Sequence, residues 1–195
     1  MNFLAHAYLS GGSKDLIIGN FIADAIKGKE YKEYRQGIID GILLHRKIDT
    51  FTDQHQIVAQ TRVRLRPYFG KYSPVVSDIY YDHFLALHWS DHSKESLKEF
   101  TTNIYATIQD EIVSMPKDVQ FFFPYMKKDD WLYNYSTFYG MQCSFEGMLR
   151  RAKFDSNMEK GVEVLQKEYV PLEEDFRQFF PELKAYVANI LPVEK

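Results

Sequence analysis

An all-α protein is predicted, a compact helical bundle of about seven to nine helices forming one domain over residues 1–195. Two observations carry that expectation. Apolar residues recur at helical spacing from one end of the chain to the other, and no run alternates apolar with polar residues as a half-buried strand does. At 195 residues and 45% hydrophobic, the chain can bury one core of ordinary size.

The spacing predicts a first helix from Ser13, as N-cap, to Gly28, with Ile17, Phe21 and Ala25 on one face and Asn20 one turn before Asp24. A second helix is expected from about Glu30 to Ile48, where Ile38, Ile42, His45 and Asp49 follow the stripe of a buried face. Gly37 and Gly41 strip side chains from one side of it, which points to a close helix neighbour. A third helix carries His55, Arg62, Arg64 and Arg66 and is expected to stop before Pro67. Ser73 and Pro74 open a fourth reaching Trp89, with Val76, Tyr80, His83 and Leu87 as its apolar stripe and Asp78 and Asp82 one turn apart beside it. Leu97, Phe100, Ile104 and Ile108 form an amphipathic stripe ending before Pro116. Helical pieces follow near 129–153, 156–170 and 172–191, with interruptions at Pro171 and Pro181.

Composition narrows the function. A formal charge of −3 gives no global field that attracts nucleic acid or an anionic membrane. Cys143 is the only cysteine, which rules out an intrachain disulfide and a thiolate-built zinc site. No stretch approaches the roughly 18 to 20 apolar residues that span a bilayer, and the N-terminal run is broken by His6. A cytoplasmic protein is expected, and no heptad repeat argues for a dimer.

The histidines are lopsided: five of six fall between His45 and His92, and His6 precedes them. Beside them stand Asp24, Asp49, Asp53, Asp78 and Asp82, mostly next to large apolar residues. A buried carboxylate needs a cation or donors, because leaving it unpaired costs several kcal/mol. Taken singly, His45 with Asp49 or Asp78 with Arg46 read as packing ion pairs. Taken together, a divalent ion neutralises several carboxylates at once, and a His/Asp set without cysteine suits Mn²⁺, Mg²⁺ or Fe²⁺. The adjacent Asp82 and His83 draw most attention, although neighbours on a helix project about 100° apart.

Several ordered motifs make the chain recognisable. Met1-Asn-Phe-Leu-Ala-His6, Gly19-Asn-Phe-Ile-Ala-Asp24, Gly41-Ile-Leu-Leu-His-Arg-Lys-Ile-Asp49, Phe51-Thr-Asp53-Gln-His55 and Asp78-Ile-Tyr-Tyr-Asp-His-Phe-Leu85 together resemble the acyl carrier protein phosphodiesterases. Asp130-Trp-Leu-Tyr-Asn-Tyr135 and Leu149-Arg-Arg151 look like the later block of that family. The resemblance covers residues 1–151 and departs from the pattern at Gln56 and at Ser73-Pro74.

That resemblance implies an HD-type, metal-dependent phosphohydrolase-like helical fold. It also implies hydrolysis of the phosphodiester between 4′-phosphopantetheine and a serine of holo acyl carrier protein, with Mn²⁺ or Mg²⁺. On this reading Asp24, His45, Asp82 and His83 bind metal, and His6 is a further ligand or the acid for the leaving serine oxygen. Asp78 and Asp49 orient the histidines or act as base, and Asn20 donates to the phosphate. Arg46 stabilises phosphoryl charge. Docking of an acidic carrier protein falls to Arg62, Arg64 and Arg66 or to Lys127, Lys128, Arg150 and Arg151. The competing readings are an HD-type hydrolase of a nucleotide or other small phosphoester, and a non-catalytic helical binding module; nucleic acid and membrane are not expected partners.

Overall fold

A computed structural model describes residues 1–150 and 154–191. Every regular element among them is helical, in agreement with the all-α expectation. The helices are α1 (Phe3–Tyr8), α2 (Lys14–Ile22), α3 (Gln36–Gln54), α4 (Gln56–Phe69), α5 (Ser73–Leu87), α6 (Leu97–Glu111), α7 (Lys117–Lys128), α8 (Trp131–Asn134), α9 (Phe138–Leu149), α10 (Gly161–Lys167) and α11 (Tyr169–Ile190). Leaving aside α1, α8 and α10, each under eight residues, the count matches the expected bundle.

α5 is the centre. Val76, Ile79, Tyr80, Tyr81, Phe84 and Leu85 are all buried, and a helix apolar around its whole circumference has to be surrounded. α1, α4 and α11 pack around it. Pro74 lies in its first turn as expected, but Ser73, expected as N-cap, is already the first helical residue, and its hydroxyl donates to the Gly70 carbonyl instead of capping.

The α2–α3 pair positions the site, and glycine sets its spacing. A Cβ on Gly41 would stand 2.6 Å from the Leu16 carbonyl oxygen; one on Gly19 would overlap the Ile38 carbonyl and stand 2.8 Å from the Gly41 Cα. The expected close neighbour of Gly41 is therefore α2, and Gly37 meets Asp15 of the same helix. Gly19→Ala has no space to relax into, because the obstruction is backbone. It is expected to cost about 3 kcal/mol, read as a lowered urea midpoint; an unchanged midpoint would show that the helices can part freely.

Several boundaries differ from expectation. α2 ends at Ile22 and passes into a 3-10 turn, Ala23–Ala25, well before Gly28. The chain between Glu30 and Glu33 is another 3-10 turn, and α3 begins only at Gln36 because Tyr34 and Arg35 are extended. Arg35 is held there by Asp15 at 2.6 Å and Glu111 at 3.0 Å. α3 then continues past Ile48 to Gln54.

Proline is also accommodated inside helices. α4 runs through Pro67 to Gly70, whose φ of 52° ends it. The carbonyl that Pro67 cannot satisfy belongs to Val63, which is 70% exposed, so water can take that bond. α11 likewise runs through Pro181, with Pro171 tolerated in its first turn. The stretch near 129–153 divides into α8 and α9, and its last three residues lie outside the described ones. Two helices were not anticipated. α1 spans six residues, too few for periodicity to register, and α7 is punctuated by Pro116 and Pro124.

Candidate metal centre

α1, α2 and α3 each contribute one residue to a buried polar knot around Asn20. Its side-chain amide donates to the His6 carbonyl at 2.9 Å and to the Ser10 hydroxyl at 3.1 Å. With both hydrogens committed, Asn20 Oδ1 is left as acceptor, and it lies 2.7 Å from His6 Nδ1 and 3.0 Å from His45 Nδ1. The Asn20 backbone carbonyl is also 3.0 Å from His45 Nδ1. Both rings therefore carry hydrogen on Nδ1, and each neutral ring has its lone pair on Nε2.

The two imidazoles stack with centroids 4.0 Å apart and planes 16° from parallel, so both Nε2 atoms face the same way. Asp49 meets them there, with Oδ1 3.2 Å from His6 Nε2 and Oδ2 3.0 Å from His45 Nε2. Neither buried Nε2 makes a well-directed hydrogen bond. Ligand atoms of His6, His45 and Asp49 all fall within 4.8 Å of one another, a spacing suited to one ion. Asp24 Oδ1 stands 3.2 Å from His45 Nε2 on the solvent side. The imidazoles are buried while the Asp49 and Asp24 side chains are 41% and 81% exposed, so the cluster opens outward through its carboxylates.

Charge in the cluster is partly offset by a proton. Burial lowers the His45 pKa, but the Asp24 and Asp49 carboxylates beside its Nε2 outweigh it and push the ring up to about 9. Burial and the neighbouring His45 bring His6 down to about 4. Asp49 is driven well below the usual carboxylate range: burial raises it, and the pull of the adjacent His45 and His6 rings prevails. The neighbouring His45 ring lowers Asp24 as well. A proton on His45 thus offsets part of the negative charge of Asp24 and Asp49.

The remaining predicted residues sit elsewhere. Asp82, expected as a ligand, is fully buried and accepts from the backbone N–H groups of Leu4 at 2.7 Å, Asn2 at 3.2 Å and Ala5 at 3.3 Å. It caps the start of α1 from another helix, which α1 requires because Asn2 makes no side-chain cap. Burial pushes its carboxyl up to about 7 against the pull of the Met1 amino group and those donors. His83 turns to the Tyr135 carbonyl, 2.7 Å from Nδ1, and stacks on Phe138. Adjacency in sequence sent the two side chains to different places.

Asp78 lies 3.1 Å from the Met1 amino nitrogen, and burial raises its pKa. The Arg46 guanidinium sits over the Tyr31 ring, 4.9 Å from its centroid, with Nη2 3.4 Å from the Gly28 carbonyl. Of the docking candidates, Arg62 is bound to Asp53 and Arg64 to Asp175. Arg151 lies outside the described residues. Asn20, expected to meet phosphate, is instead the buried anchor of both histidines; its position one turn before Asp24 gave no sign of that role.

An all-helical chain that gathers two Nε2 lone pairs and a carboxylate at one open-sided point has the donor set of a His/Asp metal site. The sequence model of the acyl carrier protein phosphodiesterase family matches residues 1–183, and the chain belongs to that family. The match extends beyond the resemblance read from motifs and into α11. It is 31% identical over 191 residues to an acyl carrier protein phosphodiesterase of Klebsiella pneumoniae (strain 342), covering 97% of this chain and 98% of the relative. It is 30% identical, with the same coverage, to one from Enterobacter sp. (strain 638). Against the Yersinia pestis protein of that name it is 29% identical, over 93% of this chain and 94% of the relative. No solved structure matches. No described helix is long and apolar enough to cross a membrane.

Proposed function

We propose that this chain hydrolyses the phosphodiester joining 4′-phosphopantetheine to a serine of holo acyl carrier protein, releasing apo carrier protein and free 4′-phosphopantetheine, with Mn²⁺ or Mg²⁺ held by His6, His45 and Asp49. One observation carries the reading: both Nε2 lone pairs and the Asp49 carboxylate converge on one point while Asn20 holds both Nδ1 atoms. A bound divalent ion withdraws charge from phosphoryl oxygens and makes a water more acidic near neutral pH.

The chain's own residues do the positioning. Asp49 bridges the two histidines through separate oxygens and so fixes their angle. Asp24, ionised and exposed beside His45, accepts a hydrogen bond from the attacking water on the open side. The free, exposed Cys143 fits the same setting, a reducing cytoplasm.

Purified protein incubated with holo carrier protein and Mn²⁺ is expected to convert it to the apo form by mass spectrometry, and EDTA is expected to stop the conversion. Persistence of holo protein with Mn²⁺ demonstrably bound would overturn the assignment of substrate.

The pH dependence has a defined sign. Below about pH 9 the His45 proton must leave before Nε2 can serve a cation, so Mn²⁺ affinity is expected to rise with pH from 6 toward 9. Calorimetry in buffers of differing ionisation enthalpy should show about one proton released per ion at pH 7. Affinity independent of pH in this window would place the ion away from His45.

A further inference from the structure

A cleft of about 500 Å³ opens beside the metal centre, and Asp24 belongs to both. Phe3 and Phe21 begin its wall, each three residues before a member of the cluster, His6 and Asp24. Their rings are 5.3 Å apart, and Phe122 is 5.8 Å from Phe3 and 6.0 Å from Phe21. Trp131 continues the line, stacked on Phe122 at 6.5 Å with planes 7° apart. A continuous aromatic surface therefore leads away from the point where a phosphoryl group would be held. Phe3, Phe122 and Trp131 are only partly buried, so the surface is available.

The polar lining is one-sided. Among the described residues, Asp118, Asp129 and Glu146 line the cleft with Asp24, against one cation, Arg150. Carboxylates accept from N–H and O–H groups and repel additional phosphates. The ligand this suits carries one phosphate at the metal end, an apolar body and several N–H or O–H donors along a narrow arm. A nucleoside triphosphate does not meet that description, whereas a branched alkyl chain joined by two amides does. Clefts of this size, mostly apolar with few polar groups, are typical of small-molecule sites.

We propose that this cleft seats the pantetheine arm of the prosthetic group, with its dimethyl-bearing end against Phe3 and Phe21 and its amides donating toward the carboxylates farther along. The inference rests on the hydrolysis proposed above and adds where the substrate lies. It makes Phe122 and Trp131 specificity residues for the arm.

Gly147 provides the test. It lines the cleft, and a Cβ placed on it meets no described atom within 4 Å, so the side chain of Gly147→Phe starts from an open position. The probe is D-pantetheine, which has no phosphate, titrated calorimetrically into the metal-free protein under reducing conditions. Saturable binding by the wild type, weakened about tenfold or more in Gly147→Phe and in Phe122→Ala, is expected. With Mn²⁺, Gly147→Phe is expected to lose at least about tenfold more kcat/KM on holo carrier protein than on bis(4-nitrophenyl) phosphate, which has no arm. Pantetheine binding by a wild type that leaves holo carrier protein intact would sink the hydrolysis and keep the cleft. Turnover of holo carrier protein, with no pantetheine bound and equal effects of Gly147→Phe on both substrates, would overturn the cleft assignment and keep the hydrolysis.

Discussion

Replacing His45 with alanine is expected to lower kcat/KM on holo acyl carrier protein by about 10³-fold or more, because removal of a direct ligand forfeits several kcal/mol of transition-state stabilisation at 1.36 kcal/mol per factor of ten. The same change should weaken Mn²⁺ binding while leaving the fold intact. His45 contributes to the cluster more than to the core: its Asp24 and Asp49 partners are 81% and 41% exposed and can turn to water once the ring is gone. His83→Ala is the contrasting variant. Its ring is buried against Phe138 and bonded to the Tyr135 carbonyl, so it should lose about 2 kcal/mol of stability with Mn²⁺ affinity kept. Titration of Mn²⁺ into both variants separates the two histidines. Equal losses of affinity would mean that the cluster around Asn20 does not hold the ion.

The second large effect belongs to Asp82. Asp82→Ala removes the acceptor for three N–H groups at the start of α1, those of half-buried Asn2 and of buried Leu4 and Ala5. Each buried donor left unsatisfied costs about 1–3 kcal/mol, so a loss of about 3–5 kcal/mol is expected. In a chain of this length that corresponds to a fall in Tm of about 10 °C. Function should fall with it, since α1 carries His6. Asp82→Asn keeps one acceptor oxygen and should recover most of the stability, with Mn²⁺ affinity within about threefold of wild type. A stable Asp82→Asn protein without Mn²⁺ affinity would return Asp82 to the ligands.

Much of the helical frame was legible in the sequence. The stripes of α5 and α6 and the first-turn Pro74 follow from periodicity and local helix-end chemistry, which depend on nearby residues alone. The His45–Asp49 pair was legible for the same reason, as a one-turn spacing on a single helix. What escaped depends on tertiary contact. Nothing within α2 says that Asn20 will face two histidines; that follows from Gly19 and Gly41 letting α2 and α3 meet at the backbone. Asp82 and His83 looked like a ligand pair because they are neighbours. Their 100° separation instead delivers one to the α1 terminus and the other toward α8 and α9. Several phenylalanines fill the core, but Phe3 and Phe122 keep an open face that only the packed structure displays.

A crystal of the protein grown with Mn²⁺ identifies the ligands through anomalous difference density at the manganese edge. The expected peak lies between His6 Nε2, His45 Nε2 and the Asp49 carboxylate, within about 2.0–2.3 Å of each. A peak at Asp82 and His83, with the Asn20 knot unchanged and empty, would contradict the account.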